Sequence, residues 1–175
     1  MSLYRELLGQ HFEELSPQLR RFHAASSPIE VRGHFAVRRG RGILRNWIAD
    51  CAGFPREAEA LPVHLRVEPH GLREDWFRTF GQTPLASSQW ASGGLLAERI
   101  GIVTLYFQLR VVEGRLEIDS VWASLLGLPW PRFLSPWAWA CGQDTDGAMS
   151  IEVSIGFAPL GMLVEYSGEV HIVSA

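Results

Sequence analysis

Lysine is absent from this chain of 175 residues, and all sixteen permanently basic side chains are arginine. The lack removes a lysine Schiff base, a pyridoxal-phosphate linkage and a P-loop, because each needs a primary amine. Cysteine is scarce too. Cys51 and Cys141 stand far apart, with neither CxxC spacing nor a disulfide framework, among apolar neighbours where a free thiol packs as a small hydrophobe. An excess of positive charge is also missing. The net charge of −3 argues against general affinity for nucleic acid, which needs a basic face. The opening residues, Met1-Ser2-Leu3-Tyr4-Arg5-Glu6, lack the apolar core of a signal peptide, so a cytoplasmic protein is expected. One long stretch, Val121 to Gly142, carries a single charge, Arg132. Pro129, Pro131 and Pro136 interrupt it, and each removes a backbone donor that lipid cannot replace, so no spanning helix is expected there.

What is present is enough apolar material for a core. Hydrophobic residues make up 47% of the chain and aromatic residues 11%, and the length suits one domain over residues 1–175. Residues 1–28 read as a helical segment. Leu3, Leu7, Leu8, Phe12 and Leu15 recur at three- to five-residue spacing, with charged residues between them. Ser16-Pro17 then starts a second short helix, Ser as N-cap and Pro in the first turn, with Leu19 and Phe22 as its apolar face.

From residue 29 the period becomes two. Ile29, Val31, Gly33, Phe35 and Val37 alternate with Glu30, Arg32, His34, Ala36 and Arg38, which describes a half-buried strand. A helix near 42–52 follows, with Ile43, Leu44, Trp47, Ile48 and Cys51 on one face and Gly53 as its stop. Everything downstream reads as strand. Val103, Leu105, Phe107, Leu109 and Val111 give the clearest alternation, and Glu113-Gly114 and Asp146-Gly147 are hairpin turns. The predicted class is α+β, mainly β: nine or ten short antiparallel strands in a curved sheet or up-and-down, calycin-like β-barrel. The N-terminal helices plug or flank it, because so many strands in one small domain must curl or close.

Several blocks in order carry a resemblance. They run from Leu3-Tyr4-Arg5-Glu6-Leu7-Leu8-Gly9 through Leu15-Ser16-Pro17-Gln18-Leu19-Arg20-Arg21-Phe22-His23 and Arg39-Gly40-Arg41-Gly42. Trp76-Phe77-Arg78-Thr79-Phe80-Gly81, Leu95-Leu96-Ala97-Glu98-Arg99-Ile100-Gly101, the segment Leu125 to Pro136 and Pro159-Leu160-Gly161 complete the set. Over essentially the whole chain this order resembles the bacterial family called domain of unknown function 4166. Ile100-Gly101-Ile102 departs from it, standing where the family has Phe-Gly-Pro. The resemblance implies a stand-alone version of a module sometimes attached to NAD(P)-binding, saccharopine-dehydrogenase-like domains, hence an NAD(P)-binding oxidoreductase as a candidate partner. It implies no activity and no catalytic residue.

Candidate chemistry is sought where a polar residue breaks an apolar strand face. Trp76, Arg78 and Phe80 share one such face, and Leu96, Glu98 and Ile100 another. A buried guanidinium or carboxylate costs several kcal/mol unless paired, so Arg78 and Glu98 are expected to face each other inside the barrel or to await a ligand. Trp76, Trp90, Tyr106 and Trp122 are expected to line the same cavity, as aromatic walls with a few polar groups describe most small-molecule pockets. Arg39, Arg41 and Gly42, where a strand meets a helix, form a weaker candidate anion site. The histidines show no metal-ligand spacing, and neither metal nor cofactor is expected.

Three functions follow. The first is a module binding a small hydrophobic molecule in an internal cavity of several hundred Å³, the range of ordinary ligand sites. The second is an isomerase- or cyclase-type enzyme using Glu98 as acid/base beside Arg78. The third is a module docking a protein or, peripherally, a membrane through Trp130 and Phe133.

Overall fold

The chain reverses wherever the sequence supplies two residues that tolerate positive φ. Gly93-Gly94, Glu113-Gly114, Leu126-Gly127 and Asp146-Gly147 all hold both residues at positive φ, the geometry of two-residue turns whose twist matches the flanking strands. In a computed structural model, which describes residues 2–174, these four turns join four of the successive pairs among eleven strands. They are β1 (Ile29–Arg39), β2 (Ala58–Pro69), β3 (Arg73–Phe80), β4 (Thr83–Ser92), β5 (Leu95–Ile100) and β6 (Val103–Val112). Then come β7 (Arg115–Leu125), the two-residue β8 (Leu128–Pro129), β9 (Pro136–Thr145), β10 (Ala148–Phe157) and β11 (Gly161–Ser174). Each strand pairs antiparallel with its neighbours, β1 pairs with β11, and β6 also pairs with β7. Ten strands therefore close into a barrel, and β8 is a spur beside β7.

Closure divides the side chains into two sets. Ile29, Val31, Phe35 and Val37 of β1 point inward with Val63, Leu65 and Val67 of β2, and Val164, Tyr166 and Val170 of β11 complete this wall. A bulge in β7 changes its phase. Phe107 pairs with Ser120 but Tyr106 with Trp122, so Val121 is extra and exposed, and Ala123 is the next residue fully buried.

The N-terminal segment plugs one end. The first predicted helix is shorter than its apolar spacing suggests: α1 (Leu3–Leu8) stops where Gly9 takes positive φ, and a 3-10 turn continues over Gly9–Glu14. The second helix, α2 (Pro17–His23), begins at Ser16, yet the Ser16 side chain makes no cap. Asp144 of β9 caps it instead, accepting from the backbone N–H of Gln18 (2.7 Å) and Leu19 (3.1 Å). Ser16 N–H donates to the Gly114 carbonyl in the β6–β7 turn, and Leu3, Tyr4, Phe12, Leu19 and Phe22 enter the core. The plug is thus pinned to two hairpins at the same barrel end.

At the opposite end α3 (Ile43–Cys51) lies beside the start of β11. Its apolar stripe, which an amphipathic helix ordinarily buries, faces outward: Ile43 is 92%, Trp47 62% and Leu44 54% exposed, while Ala49 is buried. Arg39 ties the helix down, donating to the carbonyls of Pro55 (2.8 Å) and Phe54 and pairing with Asp50.

Two glycines let β1 and β11 meet at the seam. A side-chain carbon on Gly33 would stand 1.9 Å from the Glu169 carbonyl oxygen, and one on Gly168 would stand 2.0 Å from that of His34. Neither position tolerates even a methyl group unless the strand backbone moves. Gly33→Ala is accordingly expected to lower stability by about 3 kcal/mol, the upper range for overpacking a tight site, measurable as a fall in the urea midpoint with unchanged slope.

Candidate functional site

Three adjacent strands bring polar residues into the barrel. Glu74, Trp76, Arg78 and Phe80 are the inward positions of β3, Leu85, Ser87 and Gln89 those of β4, and Leu96, Glu98 and Ile100 those of β5. Arg78 donates from Nη2 to Glu98 Oε1 (3.0 Å) and from Nη1 to Ser87 Oγ (2.7 Å), and Ser87 donates to the same Glu98 oxygen (2.6 Å). The guanidinium also lies over the Trp76 ring, 4.8 Å from its centroid. Only 15% of the Arg78 side chain and 12% of the Glu98 side chain are exposed. The two charges that alternation carries inward are therefore neutralised by each other.

A second polar group sits nearer the plug. Tyr4 of α1 donates its hydroxyl to Gln89 Oε1 (3.0 Å), and Trp76 Nε1 donates to Glu74 Oε2 (2.9 Å). The His23 ring packs on Tyr4 with centroids 3.8 Å apart, and its buried Nδ1 has no hydrogen-bond partner. Burial raises the Glu74 carboxyl to about 7 against the opposing Trp76 hydrogen bond, and lowers the His23 imidazole to about 3. The Tyr166 hydroxyl, across the barrel against Phe35 and Phe80, is pushed up to about 12 by burial. Near neutral pH this end of the interior holds a neutral histidine and a carboxyl close to its titration point.

Between these groups lies a cavity of about 170 Å³. Its wall is mostly apolar, including Leu65, Phe107, Ile151 and Val153, with Tyr4, His23, Gln89, Arg78, Glu98 and Tyr166 among its polar exceptions.

The predicted residues divide sharply. Arg78, Glu98 and Trp76 come together inside. Trp90, Tyr106 and Trp122 do not, and their expected place in the cavity is corrected by strand phase. Glu98 inward puts Ala97 outward, and Ala97 pairs with both Trp90 and Tyr106. The β7 bulge then brings Trp122 beside Tyr106 on the outer surface, where the rings stack 3.7 Å apart. Arg39 and Arg41 are separated by role: Arg39 spends its donors on Pro55, Phe54 and Asp50, while Arg41 and Gly42 are exposed. Trp130 is half-buried, its ring edge-on to Phe157, while Phe133 is 73% exposed. Sequence reasoning missed Glu74, Ser87, Gln89, Tyr4, His23 and Tyr166. Glu74 had a signal, being two residues before Trp76 on the same face; Tyr4 and His23 had none, because helices bring them in.

The sequence matches the family described as Domain of unknown function (DUF4166) over residues 15–170. The chain belongs to this family. No curated protein and no solved structure matches it. The DUF4166 match covers every strand of the barrel except the end of β11, together with α2, Arg78 and Glu98.

Two expectations follow for this DUF4166 barrel. Arg78→Met and Glu98→Leu singly should each cost about 3–5 kcal/mol by stranding a buried charge, and the double variant should cost well under their sum; denaturation of the three variants completes the cycle. The second concerns pH. Glu74 holds its proton to about 7 when folded but releases it near 4.5 when unfolded, so its contribution weakens as pH rises through that window. His23 stays neutral to about 3 when folded but protonates near 6.5 when unfolded, so its contribution weakens as pH falls through that one. Glu74→Gln should gain about 2–3 kcal/mol at alkaline pH, and His23→Leu should flatten the acid limb. Urea titrations across pH read both slopes.

Proposed function

We propose that this barrel binds a small, electrically neutral molecule with an apolar body and one polar group. The observation that carries the reading is a charged pair already neutralised beside an apolar cavity. Arg78 and Glu98 cancel, so an incoming charge would lack an opposite partner and would lose its hydration. Hydrogen-bonding capacity is nonetheless left over. Among the described residues, Glu98 Oε2, Gln89 Nε2, His23 Nδ1 and the Tyr166 hydroxyl make no protein hydrogen bond, and all four residues line the cavity. A hydroxyl or carbonyl group suits such a set of donors and acceptors.

Size narrows the class further. The cavity of about 170 Å³ is smaller than the several hundred Å³ expected from sequence, because Tyr166, Phe35, Phe80 and Phe107 fill much of the interior. An apolar cavity of about 150 Å³ takes a molecule the size of benzene. A single ring or short chain with one polar end matches that scale. The enzymatic alternative is less well supported. Glu98 is held by Arg78 and Ser87, and the carboxyl raised toward neutrality is Glu74, which Trp76 engages.

Native mass spectrometry of protein from its own host, and NMR titrations with benzyl alcohol, benzoate and benzylamine, test the proposal. Benzyl alcohol should shift signals of the lining residues saturably, and the charged analogues should do so far more weakly. Ala138→Phe, which fills the interior from β9, should abolish the shifts in a folded protein. Preference for either charged analogue, or no uptake together with no retained molecule, would overturn it.

A further inference from the structure

We infer that the α3 rim of this barrel docks on an anionic lipid bilayer. Up-and-down topology gathers α3, the β5–β6 turn and the Leu126–Ser135 segment at one end, opposite the plug. Eight of the thirteen large apolar side chains exposed among the described residues stand on that rim. They include Ile43, Leu44 and Trp47 on α3 and Leu126, Leu128 and Phe133, each 73% exposed, across the rim. These are leucines, isoleucines and aromatics projecting from an amphipathic helix and a proline-rich loop, as in segments that lie in the interfacial plane.

Charge selects the occupant. Segments 38–57 and 126–135 hold six arginines against two acids, a local excess of +4 in a chain of net −3. Arg39 is taken by Asp50, but Arg41, Arg45, Arg56 and Arg132 form no ion pair among the described residues. A second copy is a poor occupant, because a two-fold contact would press two such positive patches together. An anionic bilayer satisfies both features. Its headgroups take the guanidinium groups while Trp47, Phe133 and Leu128 enter the acyl boundary. Because no lysine is involved, the positive charge persists at any pH the fold survives. The proposal is independent of what the cavity holds.

Flotation of the purified chain with vesicles of phosphatidylcholine alone, or mixed with phosphatidylglycerol, tests it. Binding should appear with the anionic vesicles and weaken as salt rises. Arg41→Ser/Arg45→Ser should weaken it by more than about tenfold, and Trp47→Ser/Phe133→Ser by a similar factor, both with unchanged melting temperature. Phe77→Ser, at an exposed apolar site on the barrel wall, should leave binding unchanged. Failure to float with anionic vesicles, equal binding to both compositions, or indifference to the rim variants would overturn the proposal. So would a dimer in light scattering that Trp47→Ser dissociates, since a second copy would then cover the face.

Discussion

Once a sheet with a two-residue period closes on itself, every strand residue is committed to the inside or the outside, and no edge remains where a misplaced charge can reach water. The rest of this molecule answers to that commitment. Arg78 and Glu98 fall on inward positions two strands apart, so each must meet the other, and Ser87 on the strand between them completes the contact. Tyr4 and Gln89 repeat the solution between helix and strand. Desolvation then sets the protonation states of what is left. Glu74 and His23 have no opposite charge in hydrogen-bond contact, and both shift toward their neutral forms.

The barrel was legible because its signals are local. Val103 to Val111 alternates without a break, and Glu113-Gly114 and Asp146-Gly147 name their turns. Inward placement of Arg78 and Glu98 followed from the same alternation. Legibility ended where phase or partner is set at a distance. Tyr106 is on the polar side of its own strand, so the alternation itself places it outside the cavity. Trp122 left the inner face through a bulge that no turn residue announces. Ser16 looked like a cap from sequence, but the capping oxygens come from Asp144, more than a hundred residues away. The α3 stripe was visible as a stripe, yet nothing local says whether such a face turns toward a core or away from one.

The missing lysine acquires a structural meaning from the two ends of the barrel. Inside, a planar guanidinium can bond Ser87 and Glu98 at once while lying over Trp76, which a single ammonium point charge would do less well. Arg39 uses the same fork to hold two carbonyls and a carboxylate at the foot of α3. Since a guanidinium does not deprotonate in a protein, neither residue can relay a proton, and titration in the interior falls to carboxyl, imidazole and phenol groups.

Pairing of β1 with β11 also fixes an order in time. β1 can pair with β2 as soon as both emerge from synthesis, but its other edge faces a strand encoded some 120 residues later. At about 5–20 residues per second, that edge waits on the order of ten seconds for its partner. During most of the wait the plug lacks the Asp144 that caps α2, and until β11 comes the cavity has no far wall and Gly33 has nothing to approach. What protects the open edge meanwhile is the outward row of Arg32, His34 and Arg38, broken only by the small Ala36. The interior is thus finished only when β11 arrives, and any occupant must be taken up after that strand has been made.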